Sequence, residues 1–147
     1  MNLIKTLVAS IMLIGGVAMV QAQENDKAVD LNASVVKEKP YYAKYENPHF
    51  KKEELFARYL DFWVTQKFNY PKEALDKEIQ GTVKVHYLVD RKGNFSVQNV
   101  EGEPILAAEG KKIFANFPQL VPAKDAKGNA IAVQGVYPIE FKMYIAK

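Results

Sequence analysis

The stretch GVYPIEFKMY, residues 135–144, has the two-residue alternation of a β-strand. Its odd positions form an apolar stripe of Tyr137, Ile139, Phe141 and Met143. Pro138 lies among them, although proline has no backbone N–H to donate to a neighbouring strand. A sheet tolerates proline where that donor is not needed, chiefly on an edge strand whose N–H side faces solvent. The stretch therefore predicts a final strand with one free side, toward which the backbone of the even residues points.

The same alternation extends over residues 130–145, and two more strands are predicted upstream of it. Between Thr82 and Asp90, apolar residues occupy every second position. The residues Asp90 to Gly93 favour a tight hairpin with a three-residue loop and with Gly93 in the left-handed conformation. That hairpin sets Val89 opposite Phe95 and Tyr87 opposite Val97. The other face of the hairpin is mostly polar, as in an antiparallel sheet with one buried and one solvated side.

Helical patterns fill most of the remaining chain. Apolar residues recur at steps of three and four from Glu53 to about Lys67–Asn69, and Phe62 falls outside that stripe. Pro71 suits the first turn of a short second helix that ends before Gly81, and a third helix is predicted over residues 104–116. The order of elements predicts an α+β fold, in which a small antiparallel three-stranded sheet carries the helices on one face.

The N-terminal part of the chain is predicted to lie outside this fold. Lys5, an apolar run over residues 7–20 and the small residue Ala22 are typical of a secretory signal peptide, cleaved after Ala22. The alternative is an uncleaved membrane anchor, although a spanning helix needs about 20 apolar residues. Residues 23–50 are polar and without periodicity, which predicts a flexible tether, except that the aromatic residues 41–50 could lie along the domain. The domain itself is expected over residues 51–147.

Composition excludes several classes of function. The chain has no cysteine, so it holds no disulfide and no thiolate nucleophile. Its formal net charge is +3, or +2 without Lys5, which argues against a nucleic-acid partner or a polybasic membrane surface. The two histidines, His49 and His86, do not make a metal site. His86 and Ser96 could approach each other across the hairpin, but no acidic residue is placed to orient the histidine, so we predict no enzyme, no metal and no cofactor.

Several short motifs occur in one order along residues 55–144. They are Tyr70-Pro71-x-x-Ala74, Gly81-x-Val83-x-Val85, Val89-Asp90-x-x-Gly93, Pro118 before Pro122, Gly128-x-x-Ile131, and Pro138-Ile139-x-Phe141. Together they resemble the C-terminal domain of the TonB family, particularly the form common in Bacteroidetes-type bacteria. The resemblance covers about 90 residues between Leu55 and Tyr144.

The resemblance implies a periplasmic binding module rather than an enzyme. TonB domains bind a short extended segment of an outer-membrane transporter, which pairs with the final strand of the domain. In this chain the final strand corresponds to about residues 132–144, and its role in binding agrees with the free side predicted from Pro138. Pairing through the main chain is β-augmentation. The expected partner is a TonB-dependent transporter or another envelope protein, and the expected partner-binding residues are Gln134, Val136, Glu140, Lys142 and Tyr144.

Two alternatives remain open at this point. The chain could be a membrane-anchored energy transducer for outer-membrane transport, although full transducers carry a serine and a histidine four residues apart in their first helix. Here Ile14 follows Ser10 at that spacing, and residues 23–50 contain two prolines rather than a long proline-rich spacer. It could also be a self-associating envelope protein whose free strand pairs with a second copy, as in a homodimer.

Overall fold

The computed structural model describes residues 27–144; the predicted signal peptide, residues 23–26 of the predicted tether and the last three residues lie outside this range. The helices are α1 (Leu55–Lys67), α2 (Lys72–Asp76) and α3 (Pro104–Ile113), and short 3-10 turns occur at Ala43–Tyr45 and Lys52–Glu54. The strands are β1 (Val29–Asp30), β2 (Gly81–Val89), β3 (Phe95–Glu101), β4 (Ala123–Lys124), β5 (Ala130–Ile131) and β6 (Val133–Phe141).

The main sheet has four strands in the order β1-β6-β2-β3, and the helices pack on it. The predicted α+β class is therefore confirmed. Strand β2 pairs antiparallel with β3 in the predicted hairpin, and the predicted register is present, with Val89 opposite Phe95 and Tyr87 opposite Val97. The other side of β2 pairs antiparallel with β6. The fourth strand, β1, was not predicted. It is two residues long and runs parallel to β6, which makes the sheet mixed rather than purely antiparallel.

The helix boundaries follow local chemistry. Helix α1 ends at Lys67, within the predicted range, and the Phe68 N–H bonds to the Val64 carbonyl as the chain leaves the helix. Helix α2 starts one residue after Pro71, and Glu78, with φ of 54°, turns the chain before Gly81. At α3, the Glu103 carboxylate accepts hydrogen bonds from the N–H groups of Ile105 and Leu106, which caps the helix start. This helix ends at Ile113, three residues earlier than predicted.

The core lies between the helices and the odd-numbered side chains of β2 and β6. Val83, Val85 and Val89 are fully buried, and so is most of the apolar side of β6. Trp63 packs at the edge of the core, where its indole N–H donates a 2.9 Å hydrogen bond to the Ile113 carbonyl and so ties α1 to α3. Phe62 is 45% exposed, as its position off the apolar stripe predicts.

The predicted final strand is divided into two. Residues 130–131 form β5, which pairs with β4 in a separate two-stranded sheet, and β6 begins after Ala132. The loop that joins β4 to β5, Asp125–Asn129, has the residue pattern D-x-K-G-N, which also occurs at Asp90–Asn94. In both loops the aspartate carboxylate accepts backbone N–H groups two and four residues later, and the glycine has positive φ. The two hairpins therefore share one turn geometry.

Residues 27–50 form a segment that we term the N-terminal strap, and it lies along the domain. Its first part contributes β1 to the edge of β6. Further on, Glu38 and Tyr41 form isolated bridges with Lys124 and Val121. The Tyr42 ring then stacks on Tyr59 of α1, with 4.7 Å between ring centroids. The pairing of Val29, Asp30 and Glu38 differs from the flexible tether that composition predicts, whereas the contacts of Tyr41 and Tyr42 agree with the alternative that residues 41–50 lie along the domain.

Candidate functional site

The outer side of β6 is identified by its bonds to β1. The carbonyl groups of Ala132 and Gln134 accept hydrogen bonds from the N–H groups of Val29 and Leu31, at 3.0 and 2.9 Å. The backbone direction alternates along a strand, and β6 pairs with β2 in one register without a bulge. The backbone of Val136, Pro138 and Glu140 therefore faces the same outer side, away from β2. The missing N–H of Pro138 therefore removes no hydrogen bond between β2 and β6.

Beyond Gln134, no strand in the described part of the chain lies beside this outer side. Strand β1 pairs with β6 only at residues 133 and 134, and no other strand among residues 27–144 pairs with that side of β6. We term residues 136–141 of β6 the open edge. Val136 is 49% exposed although it is apolar, and Pro138 and Glu140 are exposed as well. Within residues 27–144, the open edge thus offers backbone groups without a strand partner beside exposed side chains.

The structure divides the five expected partner-binding residues into three groups. Val136 and Glu140 belong to the open edge. Gln134 lies beside β1, and its carbonyl already accepts the Leu31 N–H. The backbone of Gln134 is therefore occupied, whereas the sequence predicted that it would be free to pair with a partner. Lys142 and Tyr144 follow the end of β6 at Phe141. The Lys142 ammonium lies 5.7 Å from the centre of the Tyr144 ring, and that ring is 85% exposed.

Helix α1 borders the open edge on the core face of the sheet. The Tyr137 hydroxyl donates a 2.6 Å hydrogen bond to Asp61 Oδ1 on α1. Burial, and in second place this bond to Asp61, raises the pKa of Tyr137 far above its usual value, so the hydroxyl stays protonated and remains a donor. Further along, the Phe68 ring lies 5.1 Å from the Phe141 ring and is 40% exposed. Sequence reasoning missed Asp61 and Phe68, since helical periodicity assigns exposed positions to solvent and carries no signal of contact with a distant strand, such as that of Asp61 with Tyr137, 76 residues later.

His86 and Ser96 are not bonded to each other in the described part of the chain, but an acidic residue does lie beside His86, contrary to the expectation from sequence. His86 Nε2 lies 3.3 Å from Glu101 Oε2, close enough for an ion pair but without hydrogen-bond geometry. Ser96 instead accepts a hydrogen bond from Gln98. Among residues 27–144, no group of three or more potential ligands could hold a metal ion. In the same range, no helix has the length and apolar character required to span a membrane.

Comparison with known proteins identifies a protein family. Residues 66–143, slightly more than half of the chain, match the model of the family described as Gram-negative bacterial TonB protein C-terminal. No curated protein and no solved structure matches the chain significantly. The matched range contains β2, β3, α3 and β6, including the whole open edge, whereas the strap and most of α1 precede it. The domain of this family is a non-enzymatic, energy-transducing module of the cell envelope with a role in TonB-dependent outer-membrane transport. The match over more than half of the chain shows that the chain belongs to the TonB C-terminal family.

Proposed function

We propose that this protein binds an extended segment of an outer-membrane TonB-dependent transporter, or of another envelope protein, by pairing it with the open edge of β6. The observation that carries the proposal is the outward-facing backbone of Val136, Pro138 and Glu140, which no strand covers in the described part of the chain. In β-augmentation the main-chain hydrogen bonds supply affinity, and the flanking side chains supply specificity. An edge left open in this way is otherwise a site of unwanted association.

Two features of the edge support a selective use. Pro138 removes one N–H from the outer row, so a partner forms fewer bonds than on an ordinary strand of this length, and indiscriminate pairing is weakened. Strand β1 occupies the same edge at residues 133–134. Because β1 occupies the edge at residues 133–134, a partner segment can pair only with residues 136–141, the last six residues of β6. This length corresponds to a short linear segment rather than to a folded domain.

The proposal is tested with synthetic eight-residue peptides that tile the N-terminal segments of outer-membrane transporters encoded in the same genome. Binding to the full chain is measured by fluorescence anisotropy. The variants Val136→Pro and Glu140→Pro each remove one outward N–H and leave the bonds to β2 intact. We expect each variant to weaken binding of any bound peptide about tenfold or more, because a buried partner carbonyl is left without a donor.

Matched variants separate the backbone from the side chain. Val136→Thr and Glu140→Gln keep the N–H and nearly the same shape, and we expect them to bind within about threefold of the original chain. Circular dichroism and urea unfolding check that all four variants fold. Equal peptide binding by the proline variants would contradict strand pairing at this edge. Sedimentation of the chain alone shows whether a second copy occupies the edge instead.

We also propose that the protein acts in the periplasm after removal of residues 1–22. The proposal rests on the apolar run over residues 7–20 and the small residue before the cleavage point. N-terminal sequencing of protein purified from its native envelope is expected to begin at Gln23. A start at Met1 would favour the membrane-anchored alternative.

A further inference from the structure

The flank of α1 that borders the open edge carries one acidic and one apolar side chain. Successive residues of an α-helix are about 100° apart around its axis, so Asp61 and Trp63 project to opposite flanks. Trp63 bonds to Ile113 at the end of α3, and α3 packs on β2 and β3. Asp61 therefore faces away from α3, toward the side of the sheet on which β6 is open. Phe68 lies on the same flank, against Phe141 of β6.

Asp61 forms no ion pair with another residue in the described range 27–144. Its Oδ1 atom accepts the Tyr137 hydroxyl, a neutral donor. The ion pairs of Lys and Arg among residues 27–144 join Lys52 to Glu38, Arg58 to Glu54 and Lys77 to Glu73, and none includes Asp61. The residue is exposed, so the second carboxylate oxygen is accessible beside the open edge. The Tyr137 hydrogen bond holds the carboxylate in place, which lowers the entropy lost when a further donor binds it.

We propose that Asp61 is a specificity-determining residue that selects partner segments with a basic side chain opposite Tyr137. This inference rests on the proposed strand pairing. A strand added to the open edge turns every second side chain toward the helices. The side chain beside Tyr137 would then meet the free oxygen of Asp61, and a lysine or arginine there would form a charge-assisted hydrogen bond. An acidic side chain at the same place would be repelled.

The same geometry specifies a second position of the partner. Tyr137 and Phe141 lie four residues apart on one face of β6, and Phe68 covers Phe141 while remaining 40% exposed. The partner residue that faces Phe68 is thus four positions from the basic one, on the same side of the added strand. An apolar side chain there would cover exposed ring surface. The preferred partner is an extended segment with a basic and an apolar residue separated by three others.

The test uses an eight-residue host peptide of alternating Thr and Val that carries one guest residue, Lys, Gln or Glu, moved through every position. A second series adds Leu or Ser four positions before or after the guest. Binding to the full chain is measured by fluorescence anisotropy at low salt. We expect one guest position at which the Lys peptide binds about two- to fivefold more tightly than the Gln peptide, the range typical of exposed ion pairs, and at which Glu binds most weakly. This preference should shrink at 1 M salt.

Two variants locate the source of the preference. Asp61→Asn keeps an oxygen that can accept the Tyr137 hydroxyl but removes the charge, and we expect it to bind Lys and Gln peptides equally. Glu101→Gln removes a charge from an exposed residue of β3, which β2 separates from β6, and is the matched control, since it should retain the Lys preference at the Asp61 position. The Leu peptide should bind more tightly than the Ser peptide, and Phe68→Gln should reduce that difference.

The outcomes separate this inference from the proposed function. Peptide binding that is lost in Val136→Pro but shows no difference between Lys and Glu guests would overturn the selection by Asp61 and leave strand pairing in place. A Lys preference that persists in Asp61→Asn would overturn it as well. Failure of all peptides to bind, or binding unchanged in Val136→Pro, would contradict strand pairing and with it the selection.

Discussion

The ring of Tyr87 lies over the backbone of Gly135, the residue that faces it across β2 and β6. A Cβ atom at position 135 would overlap the Tyr87 hydroxyl oxygen and lie 2.7 Å from the ring carbon that bears it. Gly135 is the one residue that interrupts the apolar stripe of the final strand segment. The interruption is thus explained by packing, because the large side chain of Tyr87 fills the space that a side chain at 135 would need.

We expect Gly135→Ala to destabilise the protein by about 1–3 kcal/mol, the usual cost of overpacking a core. Urea unfolding followed by circular dichroism measures the change. The double variant Gly135→Ala with Tyr87→Phe should recover part of the loss, since it removes the overlapping oxygen but keeps the ring. Equal stability of Gly135→Ala and the original chain would contradict the contact.

The two D-x-K-G-N loops provide a matched pair of glycine substitutions. Gly93 and Gly128 have φ of 85° and 79°, so alanine at either position costs about 1–2 kcal/mol from the left-handed conformation alone. A Cβ at Gly93 would also overlap the Leu120 carbonyl oxygen, whereas nothing lies within 4 Å of one at Gly128. Urea unfolding should therefore show a larger loss for Gly93→Ala, by about 1–3 kcal/mol. Similar losses at the two sites would mean that the chain near Leu120 moves freely.

The aspartates of the same loops predict a loss of stability in acid. Partial burial raises the pKa of Asp90, but hydrogen bonds from Asn94 and from the Lys92 N–H outweigh it and hold the pKa below its usual value. The Asn129 N–H is the main cause of the lowered pKa of Asp125. A carboxylate with a lowered folded pKa stabilises the fold above its unfolded pKa of about 3.9, and this contribution disappears as the pH falls through the folded value.

Unfolding free energies between pH 2 and pH 6 test this expectation. The original chain should lose stability as the pH falls below about 4. Asp90→Asn and Asp125→Asn should each be less stable near neutral pH and should depend less on pH in the acid range. A double variant with the same acid profile as the original chain would show that other carboxylates cause the loss.

The strap can be distinguished from a flexible tether by its backbone bonds. The Leu31 N–H donates to the Gln134 carbonyl at 2.9 Å. Leu31→Pro removes this N–H donor, whereas Leu31→Ala shortens the side chain and keeps the N–H. We expect the proline variant to be less stable than the alanine variant by about 0.5–1.5 kcal/mol, the usual contribution of one hydrogen bond. Hydrogen exchange of Val29 should be slow in the original chain and fast in Leu31→Pro. Rapid exchange of Val29 in the original chain would contradict β1.

Local periodicity predicts the fold well where long strands and helices alternate, as in the hairpin that joins Val89 to Phe95. It also predicts the outward backbone of Pro138, because the reason is chemical and local. It misses the hairpin at the second D-x-K-G-N loop, because β4 has only two residues and β5 falls within the alternation of the long strand predicted over residues 130–145. The strap contacts and the approach of Asp61 to Tyr137 depend on packing between segments far apart in sequence, for which a single sequence carries no pattern.

The parallel direction of β1 has a mechanical consequence. Its two hydrogen bonds to Ala132 and Gln134 lie one after the other along the axis of β6. Tension applied at residue 27 along that axis shears both bonds at the same moment, so they resist together. Tension applied away from the sheet loads them singly and peels the strand off at a lower force. The domain would therefore resist a pull on its N-terminal side more strongly along the axis of β6 than away from the sheet.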